Sequence, residues 1–424
     1  MEVISKKSVL NGTIDIPGSK SHTIRAIIIG ALADGESIID EPLDSLDTRS
    51  AATAITAFGA HVDFKDRLWK ITGTGGKPYI PQNVIDVGNS GTTLYMVMGT
   101  ASLVDGWTIL TGDYQIRKRT AAPLLKSLNE LGAETISTRG NGCAPLMIKG
   151  AMKGGRTEIA AVSSQYLSSL LLACPLAVND TEIEITLLNE KPYVNMTLDW
   201  LASQKIKLET DENISRLVIK GGQAYKPFRR RVPGDFSSAT FLLCAGIMAG
   251  GEITLNGLDM NDPQGDKEVI NILNGMGADI RAEDASVTVR GARLKGIEVD
   301  MNAVPDALPM LSACACFAEG KTVLRNVQQA RIKETDRIRV MATELQKLGA
   351  DIKELPDGLE IRGTGLTGGH VHGYADHRVV MALSVAGLAA EKPVSIDTAE
   401  AVSITFPTFW KSMEKLGANL ELKE

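Results

Sequence analysis

Leu128-Asn-Glu-Leu131-Gly132-Ala133 ends an amphipathic run on a Gly-Ala step and leads into a charged, strand-like stretch. The same signature returns at Phe58-Gly59-Ala60, Met276-Gly277-Ala278, Leu348-Gly349-Ala350 and Leu416-Gly417-Ala418. A degenerate copy, without its glycine, stands at Gln204-Lys205-Ile206. Successive copies lie 68 to 73 residues apart. A second signal, a polar turn followed by a long apolar run, recurs in step near Gly18, Asn89, Ser163, Asp235, Asp306 and Asp376, 70 to 74 residues apart. Two independent signals with one period identify six copies of a unit of about 70 residues. Each copy reads as a capped apolar helix, a glycine-punctuated strand, an amphipathic helix and a Gly-Ala turn into further strand. The glycine suits the left-handed position just past a helix end.

The copies group three and three. Pro17-Gly-Ser-Lys20 and Val232-Pro-Gly-Asp235 share a Pro-Gly element, and Arg229-Arg-Arg231 marks a crossover just before the second. The prediction is a contiguous lobe over 19–233 and a discontinuous lobe built from 1–18 and 234–424, with two hinge crossings. A chain of 424 residues exceeds one ordinary core and suits two. No apolar run reaches the roughly 18–20 residues that span a bilayer, and the start lacks a signal-peptide apolar region. The net charge of −6 argues against nucleic acid or a membrane surface as the main partner. Five cysteines without framework spacing predict buried thiols in a reducing, cytoplasmic setting rather than metal ligands or nucleophiles.

The chemistry is expected where the apolar helices begin. The starts read Gly18-Ser-Lys-Ser-His-Thr-Ile-Arg25, Gly88-Asn-Ser-Gly-Thr-Thr93, Ser163-Ser-Gln165, Gly234-Asp-Phe-Ser-Ser238, Pro305-Asp306 and Tyr374-Ala-Asp-His-Arg378. Ser, Asn and Asp are ordinary caps. Lys20, Arg25 and Arg378 are not, because cations in a first turn oppose the helix dipole. They are tolerable where an anion shares the site, and free N–H groups at helix starts favour phosphate or carboxylate. Gly18-Ser-Lys-Ser fails as a nucleotide P-loop, since Ser19 separates Gly18 from Lys20. His370, His372 and His377 lack a companion carboxylate cluster and read as solvated loop histidines rather than metal ligands. Arg331-Ile-Lys-Glu-Thr-Asp-Arg337 reads as the opening of a helix, with Lys333, Glu334 and Arg337 on one face. Gly112-Asp-Tyr-Gln-Ile-Arg-Lys-Arg119 loads a strand-to-helix loop with three cations.

Pro17-Gly-Ser-Lys-Ser, Gly88-Asn-Ser-Gly-Thr, Ser163-Ser-Gln, Lys191-Pro-Tyr, Pro305-Asp, Arg331-Ile-Lys-Glu-Thr-Asp-Arg and Asp376-His-Arg together resemble the 5-enolpyruvylshikimate-3-phosphate synthase family, the 3-phosphoshikimate 1-carboxyvinyltransferases. The resemblance spans nearly the whole chain. It implies an α/β (α+β) fold: a two-lobed inside-out α/β prism of six βαβαββ repeats, three per lobe. It implies a transferase of the shikimate pathway and aromatic amino-acid biosynthesis, using phosphoenolpyruvate and shikimate 3-phosphate without cofactor or metal. The 5-hydroxyl adds to C2 of phosphoenolpyruvate as C3 is protonated, and the tetrahedral adduct loses phosphate.

The resemblance assigns Asp306 as base, with Glu334 and Lys20 as proton carriers. It places Lys20, Ser21, Arg25, Ser163, Ser164, Gln165, Tyr193, Asp306, Gln329 and Lys333 at shikimate 3-phosphate. It places Lys20, Asn89, Gly91, Thr92, Arg119, Gln165, Arg337, His377 and Arg378 at phosphoenolpyruvate. Glyphosate is an expected inhibitor, and a monomer is the expected state. The chain departs from the family pattern at Tyr95, near which an arginine is usual, at Thr120, where proline is usual, at Gln329 for asparagine, and at Ile404 for a lysine of the phosphoenolpyruvate site. A related transferase acting on UDP-N-acetylglucosamine carries a cysteine in the loop matching Gly112–Arg119, and none is there. The other readings are a paralogue with another hydroxylated acceptor and a non-catalytic anion-binding repeat scaffold.

Overall fold

The second copy shows the building plan. Strand Ile85–Asp86, helix Gly91–Ala101, strand Trp107–Thr111, helix Ala122–Glu130 and strands Glu134–Ser137 and Leu146–Lys149 follow one another. The first two strands pair in parallel, the fourth returns antiparallel to the second, and the third lies at the edge against the fourth. The computed structural model describes residues 1–424 and contains six such four-stranded sheets, giving βαβαββ six times over.

Three of the six sheets borrow a strand from elsewhere in the chain. Arg229–Arg231 supplies the leading parallel strand beside Glu36–Asp40. Leu10–Asp15 does the same beside Gly251–Asn256. In the last sheet Glu2–Lys6 lies between Val394–Ile396 and Asn419–Lys423. The chain therefore falls into two compact units: Lys20–Val232, contiguous, and Met1–Ser19 with Pro233–Glu424, discontinuous. The two crossing segments hydrogen-bond to each other, Ser19 N to Pro233 O at 2.8 Å and Asp235 N to Pro17 O at 2.9 Å.

Each unit has its own hydrophobic core. Lys20–Leu32, Gly91–Ala101 and Ser164–Ala173 centre one; Phe236–Ala249, Leu308–Ala315 and His377–Gly387 centre the other. These helices are buried on almost every side, in keeping with sequences that are mainly apolar or small beyond their polar first turns. Close approach between them uses glycine: a Cβ on Gly99 would lie 2.5 Å from the Ser169 carbonyl oxygen. The repeat glycines Gly59, Gly132, Gly277, Gly349 and Gly417 have φ between +93° and +97°, the left-handed geometry that ends each amphipathic helix. In the degenerate copy Lys205 takes the same place at φ +58°.

One helix begins later than its sequence suggests. Gln328–Ile332 is a short 3-10 turn, and the α-helix covers Arg337–Lys347 with Asp336 as its cap. Lys333 and Glu334 therefore stand in the connection before the helix, not on a helical face. Asp336 explains the shift: its carboxylate accepts from Arg339 N at 3.1 Å, and a capping side chain is a better start signal than the charge spacing upstream. No helix is long and apolar enough to cross a membrane.

Candidate active site

In the contiguous unit the three core helices begin with the residues singled out by sequence. Lys20 opens the first, and its Nζ lies 3.0 Å from Asp47 Oδ2, in the first turn of helix Leu46–Ala57. Arg25, 1% exposed, donates from Nε to Thr197 Oγ1 at 2.8 Å and from Nη1 to Ser21 O at 2.9 Å. Its Nη2 donates to Tyr193 O at 2.8 Å and Ser168 Oγ at 3.3 Å. All these acceptors are neutral, and burial pulls the Arg25 pKa down to about 10. A buried guanidinium without a carboxylate is costly, and an anion relieves the cost.

At the second start Ser90 caps Thr93 N. Asn89 Nδ2 donates to Asp113 Oδ2 at 2.6 Å and to Gln115 Oε1, while Asn89 Oδ1 is buried without a partner. A Cβ on Gly91 would lie 2.1 Å from Arg119 Nη1, so the largely buried Arg119 guanidinium rests against the bare helix start. Thr92 Oγ1 accepts from Gln165 Nε2 at 3.0 Å, tying the second start to the third. Gln165 Oε1 is likewise buried and unpartnered.

At the third start Ser163 Oγ caps Gln165 N. Ser164 donates to one atom twice: its N–H at 3.2 Å and its hydroxyl at 2.7 Å both reach Glu190 Oε2. Tyr193 stands at the start of helix Lys191–Ser203. Two departures from the family pattern meet here. Tyr95 and Tyr166, edge to face at 4.9 Å, both donate their hydroxyls to the carbonyl oxygen of Thr120, at 3.0 and 2.6 Å, and so anchor the backbone beside Arg119.

The discontinuous unit carries a different cluster. Asp306 lies in the 3-10 turn Pro305–Ala307 that precedes helix Leu308–Ala315. Its Oδ1 is 3.0 Å from Arg337 Nη1 and 3.9 Å from Lys333 Nζ, and its Oδ2 is 3.1 Å from Arg378 Nη2. Arg337 is 1% exposed and forms a fork on Asp376, Nε to Oδ2 at 2.8 Å and Nη2 to Oδ1 at 3.0 Å. Its Nη2 also pairs with Glu334. Burial disfavours the Arg337 charge, but Asp376, Glu334 and Asp306 outweigh it and hold its pKa above the ordinary arginine value. Asp376 also accepts from Thr335 Oγ1 at 3.0 Å and from Arg378 N at 3.0 Å, so one carboxylate caps the helix and joins both motifs.

His377 is not a solvated loop residue. It is 1% exposed, and both ring nitrogens lack a partner. Burial is the main cause that lowers its pKa to about 3; Arg378 and Arg337 push the same way against Glu334 and Asp376. The ring is therefore neutral. His370 and His372 are exposed, and His372 Nδ1 lies 2.6 Å from Asp397 Oδ2. No group of three or more His, Cys, Asp or Glu side chains is placed to hold a metal ion. All five cysteines are buried and unbridged. Gln329 Nε2 donates to Asn302 O at 3.3 Å, and its Oε1 is buried without a partner. Ile404 ends the 3-10 helix Ala399–Ile404, 9% exposed.

The sequence model of EPSP synthase (3-phosphoshikimate 1-carboxyvinyltransferase) matches residues 4–413. The chain belongs to the EPSP synthase family. The 3-phosphoshikimate 1-carboxyvinyltransferase of Acetivibrio thermocellus is 53% identical over 419 residues, 99% of each chain. That of Ruminiclostridium cellulolyticum is 51% identical over 417 residues, 98% of this chain and 99% of the relative. The solved EPSP synthase of Acinetobacter baumannii superposes with a TM-score of 0.83 at 28% identity, covering 100% of both chains. Against the EPSP synthase motifs, three carboxylates were missing from the sequence-derived site residues. Asp376 was legible only as a cap, although its place in Asp376-His-Arg was a signal. Asp47 and Glu190 belong to no motif and are found only through their contacts with Lys20 and Ser164.

Proposed function

We propose that this chain transfers the enolpyruvyl group of phosphoenolpyruvate to the 5-hydroxyl of shikimate 3-phosphate and releases inorganic phosphate. The observation that carries this reading is Asp306, a carboxylate at a helix start oriented by Arg337 on one oxygen and Arg378 on the other. In the proposed first step the 5-oxygen bonds to C2, Asp306 takes the hydroxyl proton, and C3 gains a proton from Lys20 or Glu334. In the second step the bond from C2 to the phosphate oxygen breaks, C3 loses a proton, and phosphate leaves with the electron pair.

Arg119, Arg378 and Lys20 supply positive charge for phosphoenolpyruvate, with Asn89, Thr92 and Gln165 as polar partners. Arg337 has five N–H groups, four of them committed to Asp376, Glu334 and Asp306. Its larger part in this reading is to align the proton carriers, with one N–H left for substrate. The neutral His377 ring can donate from one nitrogen and accept at the other. Arg25, with Ser21, Ser163, Ser164, Gln165 and Tyr193, takes the shikimate 3-phosphate side, where its uncompensated charge favours a phosphate. Gln329, Lys333 and Asp306 of the discontinuous unit are proposed for the same substrate. The reading includes glyphosate inhibition, a monomer and a cytoplasmic setting.

The test is release of inorganic phosphate by the purified protein. It is expected to require phosphoenolpyruvate and shikimate 3-phosphate together. Release with UDP-N-acetylglucosamine in place of shikimate 3-phosphate would overturn the acceptor, and no release with any hydroxylated acceptor would leave an anion-binding scaffold.

A further inference from the structure

Ser164 enters the proposed shikimate 3-phosphate site with nothing left to give. Its single hydroxyl hydrogen and its backbone N–H both end on Glu190 Oε2, at 2.7 and 3.2 Å. Those two donors stand at the start of helix Ser164–Ala173, where an anion is electrostatically favoured. A carboxylate already sits there. Glu190 is 2% exposed, and its backbone adopts φ +58°, ψ 39°, a left-handed conformation that a non-glycine residue holds only when its surroundings impose it. It caps helix Lys191–Ser203 without any side-chain capping bond, so its carboxylate is directed at Ser164 rather than at its own helix. The nearby buried cation, Arg25, shares helices with this corner: it holds Tyr193 O and Ser168 Oγ and has no carboxylate of its own.

We infer that Glu190 is an internal competitor for the phosphate of shikimate 3-phosphate, occupying the Ser164 donors until the substrate displaces it, and so setting the affinity for that substrate. This rests on the function proposed above. A phosphate and a carboxylate cannot both accept the one Ser164 hydroxyl hydrogen, and two anions in one corner repel. Shikimate 3-phosphate therefore binds more weakly than the donor set alone allows, while phosphoenolpyruvate is unaffected. Glu190 is a specificity-determining residue that need not touch the reacting atoms.

The test is Glu190→Ala and Glu190→Gln, with steady-state kinetics in both substrates and calorimetric titration of shikimate 3-phosphate alone. Glu190→Ala is expected to lower KM and Kd for shikimate 3-phosphate about tenfold, the worth of one charge-assisted hydrogen bond. Glu190→Gln keeps an acceptor for Ser164 without the charge and is expected to fall between. KM for phosphoenolpyruvate should not move. The gain should shrink by more than half when Ser164→Ala is already present. Weaker or unchanged shikimate 3-phosphate binding in Glu190→Gln, with its melting temperature intact, overturns the inference, as does an equal change in both KM values. If the unaltered protein releases no phosphate from the two substrates, the function proposed above fails first, and the two failures are told apart.

Discussion

The two units place opposite kinds of charge chemistry at their helix starts. In the discontinuous unit three cations, Arg337, Arg378 and Lys333, face three carboxylates, Asp306, Glu334 and Asp376, and the cluster neutralises itself. In the contiguous unit Lys20 has Asp47, but Arg25 has only hydroxyl and carbonyl acceptors. A self-neutralised cluster holds its members in fixed geometry, and an anion there meets individual donors such as Arg378 rather than an excess of positive charge. A buried cation among neutral dipoles seeks a counter-ion. The first arrangement suits positioned proton carriers, the second suits capture of an anion, and one repeat sequence has been adapted to both.

The sharpest test of that contrast is Asp306→Asn. It keeps shape and most hydrogen bonds, and turnover is expected to fall by ~10²–10⁴, the usual worth of a positioned base. Substrate affinity should hold in titration calorimetry. A loss confined to melting temperature would make the carboxylate structural.

Next is the pair Arg337→Met and Arg25→Met, compared by denaturant unfolding. Removing Arg337 takes away the cation that Asp376, Glu334 and Asp306 share and is expected to cost about 3–5 kcal/mol of stability. Removing Arg25 strands only neutral acceptors, so its stability loss should be clearly smaller. Instead KM for shikimate 3-phosphate should rise by about one to two decades. Equal destabilisation by both variants would erase the distinction between the clusters.

His377 offers a pH probe. Its folded pKa of about 3 lies below the ordinary histidine value, so between those values the unfolded chain binds a proton that the folded chain refuses. Stability from this source is complete above about pH 6.5 and is lost as pH falls, by up to about 1.4 kcal/mol per pH unit. His377→Gln should flatten that part of the acid limb relative to the unaltered protein. A limb of unchanged slope would mean that His377 does not titrate as its burial dictates.

The smallest expected effect is at Ile404. Ile404→Lys should lower KM for phosphoenolpyruvate by up to about tenfold and leave that for shikimate 3-phosphate in place. If neither KM responds, position 404 does not face the site.

The fold was legible because its period was. A glycine at each helix end and a polar turn at each helix start are local requirements, and Gly132 or Ser163 can be read without neighbours. Lys205 reads as the degenerate copy, and its φ of +58° is left-handed like the φ of the glycines at the equivalent positions. The borrowed strands were harder. Arg229–Arg231 carries three charges and no apolar alternation, since a short edge strand needs neither. The candidate site residues are legible as motifs, but the side chains that contact them are not. Asp47 and Glu190 lie 27 and 26 residues from Lys20 and Ser164, and only the folded chain brings them together.

The borrowed strands also set an order of events during synthesis. Leu10–Asp15 leaves the ribosome early, but its partner Gly251–Asn256 is made some 240 residues later. At the ~5–20 residues per second of translation, that strand waits about 10–50 s with its edges open. Meanwhile Lys20–Val232 emerges whole and has every strand of its three sheets in hand. The middle of the chain is thus able to fold first, and the discontinuous unit is completed only when residues beyond Pro233 have been made. An N-terminal strand left waiting is an exposed edge open to pairing with other nascent chains. Its Asn11-Gly12-Thr13 centre, polar and interrupted by glycine, makes it a poor template for such pairing.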